Sequence, residues 1–313
     1  NIAFRARFDG APPPNSSLYW RGPVMDEFDG RSWRPTYGAN LPRHAPQIEA
    51  RGTPVDYEVT LEPHNQRWLL ALDAPVGLPD GALLTSRLQA IAREPVRLRS
   101  RFQFRAVTDF RFGRDEPQSA LDNALRLPRQ GNLKARALAA EWKQRHPKPE
   151  GIVAEALTLF RREAFVYTLQ PPLLGDNPVD EFLFESRRGF CEHYASAFVF
   201  LMRAAGIPAR IVAGYQGGEA NPVDGYIVVR QSDAHAWAEV WTAEKGWQRV
   251  DPTAAIAPSR VEEGIATALP AGEPLPVMAR LDLDWLRQLR FRWEAINNRW
   301  NQWVLGYNPD RQR

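Results

Sequence analysis

The 313-residue chain contains one cysteine, Cys191, and five histidines, His44, His64, His146, His193 and His235. A lone cysteine cannot form an intramolecular disulfide, and a zinc site of several thiolates is excluded. The choice lies between a small buried residue and a reactive thiol. In Arg188-Gly189-Phe190-Cys191-Glu192-His193 the cysteine stands where a helical pattern begins: Tyr194, Ala195, Phe198, Leu201, Met202 and Ala205 are apolar. Gly206 and Pro208 end that helix. A thiol attacks as thiolate, and unpaired N–H groups at a helix N-terminus favour negative charge. The same groups can hold the oxyanion of a tetrahedral intermediate. This is the setting of a nucleophile.

A thiol nucleophile needs a base. His193 lies two residues on, about 200° around the helix, and reads as a structural hydrogen-bonder. His44 and His64 sit in polar, loop-like stretches and His146 ends a helix, so these three read as solvated. His235 opens the alternating run His-Ala-Trp-Ala-Glu-Val-Trp. Period two puts His235, Trp237, Glu239 and Trp241 on one face, where aromatic and acidic company suggests a cleft. Ala234, Ala236, Ala238 and Val240 line the other, small enough to pack against a helix. Asp251 closes the next strand, in Gly246-Trp-Gln-Arg-Val-Asp-Pro-Thr253. A hairpin would bring it to His235. A carboxylate on one ring nitrogen sets the tautomer and leaves the other nitrogen for the thiol. Together the three residues spell covalent acyl transfer.

The positioning elements are legible too. Residues 1–115 read as all β, a sandwich or open barrel, with alternation in Val55–Leu61 and in Val96–Ala106. In the second run Val96, Leu98, Phe102, Phe104 and Ala106 share one face, and Arg97, Arg99, Arg101 and Arg105 form a solvated one. A polar stretch broken by Pro117 and Pro128 opens a second unit, residues 116–261. It reads as helices near 133–146 and 150–165, the cysteine helix, then strands at 209–215, 226–230, 235–241 and 247–250. That order makes the chain α+β. Residues 262–313 read as a linker and an amphipathic helix, with Trp285, Leu289, Trp293, Ile296, Trp300 and Trp303 at helical spacing.

The blocks Gly189-Phe-Cys-Glu-His-Tyr-Ala-Ser-Ala-Phe198, Gly206-Ile-Pro-Ala-Arg210, Asp233-Ala-His-Ala-Trp-Ala-Glu239 and Val250-Asp-Pro-Thr253 resemble the transglutaminase-like superfamily. The resemblance implies a papain-like core with Cys191 as nucleophile, His235 as base and Asp251 as the orienting acid. It departs at Glu185, where papain-like proteases place a glutamine that completes the oxyanion hole. Tyr167, Gln170 and Trp237 are the candidates for that second donor and for lining the cleft. Leu18-Tyr-Trp-Arg-Gly22 and Phe28-Asp-Gly-Arg-Ser-Trp33, ahead of such a core, are similar to bacterial membrane-anchored members. That implies the periplasmic domain of an inner-membrane protein acting on proteins or peptides of the cell envelope. The piece itself is expected to be soluble and monomeric.

Hydrolysis by the same thiolate, and a non-catalytic binding scaffold, are the competing readings. No cofactor or metal is called for; a site from Cys191, His193 and His235 is the one metal alternative, and no acidic loop has calcium-site spacing. Of 40 basic residues 36 are arginine, and the net charge of +3 resides beyond residue 279, so no basic surface for nucleic acid is expected.

Overall fold

The structure is a computed structural model that describes residues 2–35, 46–264 and 269. His44 and the amphipathic segment 281–305 lie outside the described residues. Among the described residues no helix is long and apolar enough to cross a membrane.

Alternation in Val55–Leu61 does what period two requires. Tyr57, Val59 and Leu61 are buried, while Asp56, Glu58 and Thr60 face outward. This strand is central to a six-stranded sheet ordered Glu219–Ala220, Ile227–Arg230, Ile2–Phe8, Val55–Leu61, Ser100–Ala106 and Pro75–Gly77. A seven-stranded sheet runs Ile48–Ala50, Phe110–Phe112, Gly246–Val250, Ala234–Thr242, Ala209–Gln216, Tyr19–Met25 and Ala71–Leu72. The described residues among 1–115 hold strands, as expected, and a three-residue 3-10 turn at Asn15–Ser17 as their only helical element. Most of their strands are hydrogen-bonded into the same two sheets as strands from beyond residue 200; Glu27–Phe28 with Trp33–Arg34, and Leu83–Leu84 with Ala90–Ile91, form separate pairs. Between the sheets lies a core that includes Phe4, Tyr57, Trp20 and Tyr215, with Phe4 edge-on to Trp20 at 5.1 Å.

Helices also pack on the seven-stranded sheet. Leu133–Arg145 and Pro149–Arg162 pack with Cys191–Ala204, which lies on Ala236, Ala238 and Val240. These small side chains let the helix approach closely, as the alternation predicts. Gly206, at φ +86°, terminates the helix in the left-handed region.

Two expectations change. The strand after Pro95 begins at Ser100, so parity does not extend back to Leu98, which is 76% exposed. The arginine face is not simply solvated. Arg105 forms a forked pair with Asp56 at 2.7 and 2.8 Å, and Arg99 and Arg5 both reach Glu62. Acids on the central strand and at its end thus face arginines on both sides. Such exposed pairs contribute little stability individually, but they compensate the basic charge.

Candidate active site

Cys191 opens its helix after a tight approach that only glycine permits. A Cβ on Gly189 would stand 2.6 Å from the His193 Cβ and 3.0 Å from the Phe182 ring. The His193 ring, lodged between Phe182 and Phe190, accepts the Phe190 N–H at 3.3 Å. Burial pushes its pKa down to about 4, so it stays neutral and able to accept. His193 is therefore the helix cap, the structural role expected of it.

His235 and Asp251 meet across neighbouring antiparallel strands. His235 Nε2–H donates to Asp251 Oδ2 at 2.8 Å, because a carboxylate offers only acceptors. The other ring nitrogen, Nδ1, has no hydrogen-bond partner. Burial works to lower the His235 pKa, but the charge and hydrogen bond of Asp251 outweigh it. With a further contribution from Cys191, they raise the pKa to about 9. Burial works to raise the Asp251 pKa, yet His235, Tyr19 and the Thr253 N–H hold it below the usual carboxylate range. The structure brings Cys191, His235 and Asp251 together. Cys191 is 3% exposed and His235 wholly buried. The thiol lies within electrostatic reach of the His235 imidazole, the Tyr167 phenol and the Arg260 guanidinium, in an otherwise apolar core.

Tyr19 was missed by sequence reasoning. Its hydroxyl donates to Asp251 Oδ2 at 2.7 Å, across 232 positions of sequence. The tyrosine lies on Tyr19–Met25, which pairs with Ala209–Gln216 in a register that sets Gln216 opposite Tyr19. Gly214, opposite His235 on its other neighbour, makes that pairing possible: a Cβ there would lie 2.0 Å from the Trp20 carbonyl oxygen. Leu18-Tyr-Trp-Arg-Gly22 was legible only as part of a family resemblance.

Tyr167 lies on Val166–Tyr167, which pairs in parallel with Arg188–Gly189 just ahead of the nucleophile. Burial raises its pKa, and the charge of Cys191 adds to this. Arg260 and the Cys191 backbone N–H are close enough to oppose the shift. Arg260, also missed, comes from the short helix Pro258–Glu262. It is fully buried, donates to the Ala234 carbonyl at 3.2 Å and to Gln216 at 3.4 Å, and leaves Nε without a partner. Burial works against its charge, but Tyr167, Cys191 and Asp233 more than offset it. No periodicity or motif in the sequence marks this residue.

Other expected residues fall elsewhere. Gln170 is exposed, and its backbone N–H caps onto the Thr168 hydroxyl. Glu185 is 63% exposed and reaches toward Lys134, away from the thiol. Trp237 is fully buried, edge-on to Tyr19 at 5.0 Å and stacked beside His235; its Nε1 has no partner. The rest of the His235 face is not a cleft. Glu239 is buried between Arg21 at 2.6 Å and Arg210 at 2.8 Å, and Trp241 donates to the Gly113 carbonyl. The strand alternation is right, but the face bearing His235 is filled by Tyr19, Arg21 and Arg210 from the neighbouring strands. His64 is not solvated: burial lowers its pKa to about 4, and it accepts the Gln66 N–H. His146 pairs with Glu155 at 2.9 Å. Among the described residues no group of three His, Cys, Asp or Glu side chains could hold a metal ion.

Comparison with known proteins matches these features. Residues 1–112 fit the TgpA N-terminal domain, and residues 136–252 fit the transglutaminase-like superfamily. A Pseudomonas aeruginosa protein named protein-glutamine gamma-glutamyltransferase is 43% identical over 99% of the chain. The chain spans about half the length of that relative, 47%. A Bacillus subtilis protein, YebA, is 37% identical over 42% of the chain and 19% of its own length. The crystal structure of the periplasmic domain of TgpA from Pseudomonas aeruginosa superposes with a TM-score of 0.82 at 44% identity, covering 86% of this chain and 93% of that one. An ethylmercury-bound form gives 0.80 at the same identity, covering 84% and 93%. With 93% of that domain covered at 44% identity and with both family models matched in order, the chain belongs to the transglutaminase-like superfamily, in the group of TgpA periplasmic domains.

Proposed function

We propose that this chain is the periplasmic catalytic domain of a membrane-anchored bacterial transglutaminase, and that it transfers the acyl group of a protein glutamine to an amine. The observation that carries the reading is the His235 ring, held at Nε2 by Asp251 at 2.8 Å, with Nδ1 free beside a cysteine at a helix N-terminus. The name and domain of the Pseudomonas relative support the same reaction.

The Cys191 thiolate attacks the carboxamide carbon, and the oxygen takes up the negative charge. The Cys191 N–H and the Tyr167 hydroxyl are the donors for that oxyanion. His235, as imidazolium, protonates the departing nitrogen; ammonia leaves and a thioester remains. An amine then attacks the thioester, His235 takes its proton, and the thiolate leaves. Asp251 keeps the ring in one tautomer and stabilises its charged form through both halves of the cycle. Protein chains of the cell envelope supply the glutamine and the amine.

The test is incorporation of a labelled primary amine into a glutamine-containing protein by the purified domain, with Cys191→Ala as control. Cys191-dependent incorporation with release of ammonia is expected. Glutamine deamidation or peptide cleavage without incorporation would replace transfer by hydrolysis. No Cys191-dependent chemistry with either acceptor would leave a binding scaffold.

A further inference from the structure

We infer that Tyr19, from the N-terminal β region, is a positioning residue of the catalytic centre: it holds the Asp251 carboxylate in register with His235, so the site is complete only when the N-terminal strand is in place. The inference rests on the triad reading above.

The two hydrogen bonds converge on one oxygen. Asp251 Oδ2 accepts His235 Nε2–H at 2.8 Å and the Tyr19 hydroxyl at 2.7 Å, while Oδ1 accepts the Thr253 N–H at 3.0 Å. With three donors from three separate elements, the carboxylate cannot rotate without breaking at least one bond. Hydrogen bonds to an ionised acceptor are the strong class, and here they lie in a dry interior. A phenol can serve this purpose only while it keeps its proton. Burial and the negative charge of Asp251 both raise the Tyr19 pKa, so it remains a donor over the whole range in which the triad works.

The ring is itself fixed. The Arg249 guanidinium lies 3.9 Å from the Tyr19 ring centre, and Trp237 meets the ring edge-on. Arg249 is anchored by Asp73, which also accepts from Arg21. Arg21 follows Tyr19 by two positions on the same strand, and it pairs with Glu239 on the His235 strand. The N-terminal strand is therefore locked to the catalytic strand by buried charge, and by main-chain pairing to the strand Ala209–Gln216 that lies between them. Residues 136–252, the part that matches the superfamily, do not contain Tyr19. The charged and titratable groups facing this assembly are His235 and Arg249 on the sheet, Arg260 from the short helix, and Cys191 beyond the imidazole.

Tyr19→Phe keeps the ring and removes the donor. The test uses the whole domain and two readouts. In Cys191-dependent amine incorporation, kcat is expected to fall about tenfold with KM little changed. The acid limb of the pH profile should move upward, because Asp251 loses a bond that holds it ionised. The alkaline limb, set by His235, should not move down. The second readout is the pH dependence of Cys191 alkylation by iodoacetamide, which requires no substrate; the same upward shift of its acid limb is expected. If both profiles coincide with wild type while only the melting temperature falls, Tyr19 is packing and the inference is overturned. If wild type alkylates with the expected profile but never incorporates amine, transfer fails and the Tyr19 result still stands or falls on alkylation alone.

Discussion

Replacing Asp251 by asparagine removes the charge that governs His235 while keeping the side chain's shape. In wild type the imidazole pKa is raised to about 9 from an ordinary 6.5. That rise corresponds to something on the order of 3 kcal/mol between the two protonation states. The sign follows directly. A raised histidine pKa stabilises the fold fully below about pH 6.5, and that contribution is lost as pH rises through about 9. The lowered Asp251 pKa describes the same interaction from the other partner and is not counted again. Without the carboxylate only the smaller contribution of Cys191 opposes burial, and the ring is expected to titrate at or below about 6.5. At about pH 8 the imidazolium fraction falls from roughly nine-tenths to about 3% or less, a loss of ~30-fold or more. At about pH 6 the wild-type ring is almost wholly charged, and the variant retains a far larger share than it does at pH 8. The defect in kcat/KM for amine incorporation is therefore expected to deepen by at least ~20-fold between about pH 6 and 8. The assay is a pH–rate profile of both proteins, with urea unfolding at the same pH values. A defect of equal size at every pH, or an alkaline limb still near 9 in the variant, would refute the assignment of Asp251 as the group that charges His235.

Further outcomes follow from the same geometry. Tyr167→Phe should cost about 10²-fold in kcat with little change in KM or melting temperature, if its hydroxyl serves the oxyanion; steady-state kinetics checks this. Glu239→Ala leaves Arg21 and Arg210 buried without their shared carboxylate, so urea unfolding should show a loss of about 3–5 kcal/mol. Gly214→Ala forces a Cβ against the Trp20 carbonyl, and soluble yield and melting temperature should both drop sharply. His193→Ala removes the acceptor of the Phe190 N–H; a stability loss of about 1 kcal/mol by urea unfolding is expected, with the pH profile of activity unmoved.

Sequence alone determined what is local. The helix begins at Cys191 because apolar residues recur at helical spacing from Tyr194 and Gly189 clears the ground for the His193 cap. The strands around His235 and Asp251 follow from alternation and a turn, and a short hairpin leaves little freedom in where their ends meet. The all-β character of residues 1–115 was readable for the same reason. The tertiary structure decided the rest. Alternation says that Glu239 and Trp241 share a face with His235, but not that arginines from the two neighbouring strands, Arg210 and Arg21, fill that face around Glu239. It therefore could not tell a cleft from an interior charge cluster. Tyr19 and Asp251 are separated by 232 positions, and Arg260 stands in a five-residue helix without a pattern. No periodicity spans such distances. Those contacts exist because sheet pairing, with Gly214 allowing the approach, lays one strand beside another and carries its side chains to the carboxylate.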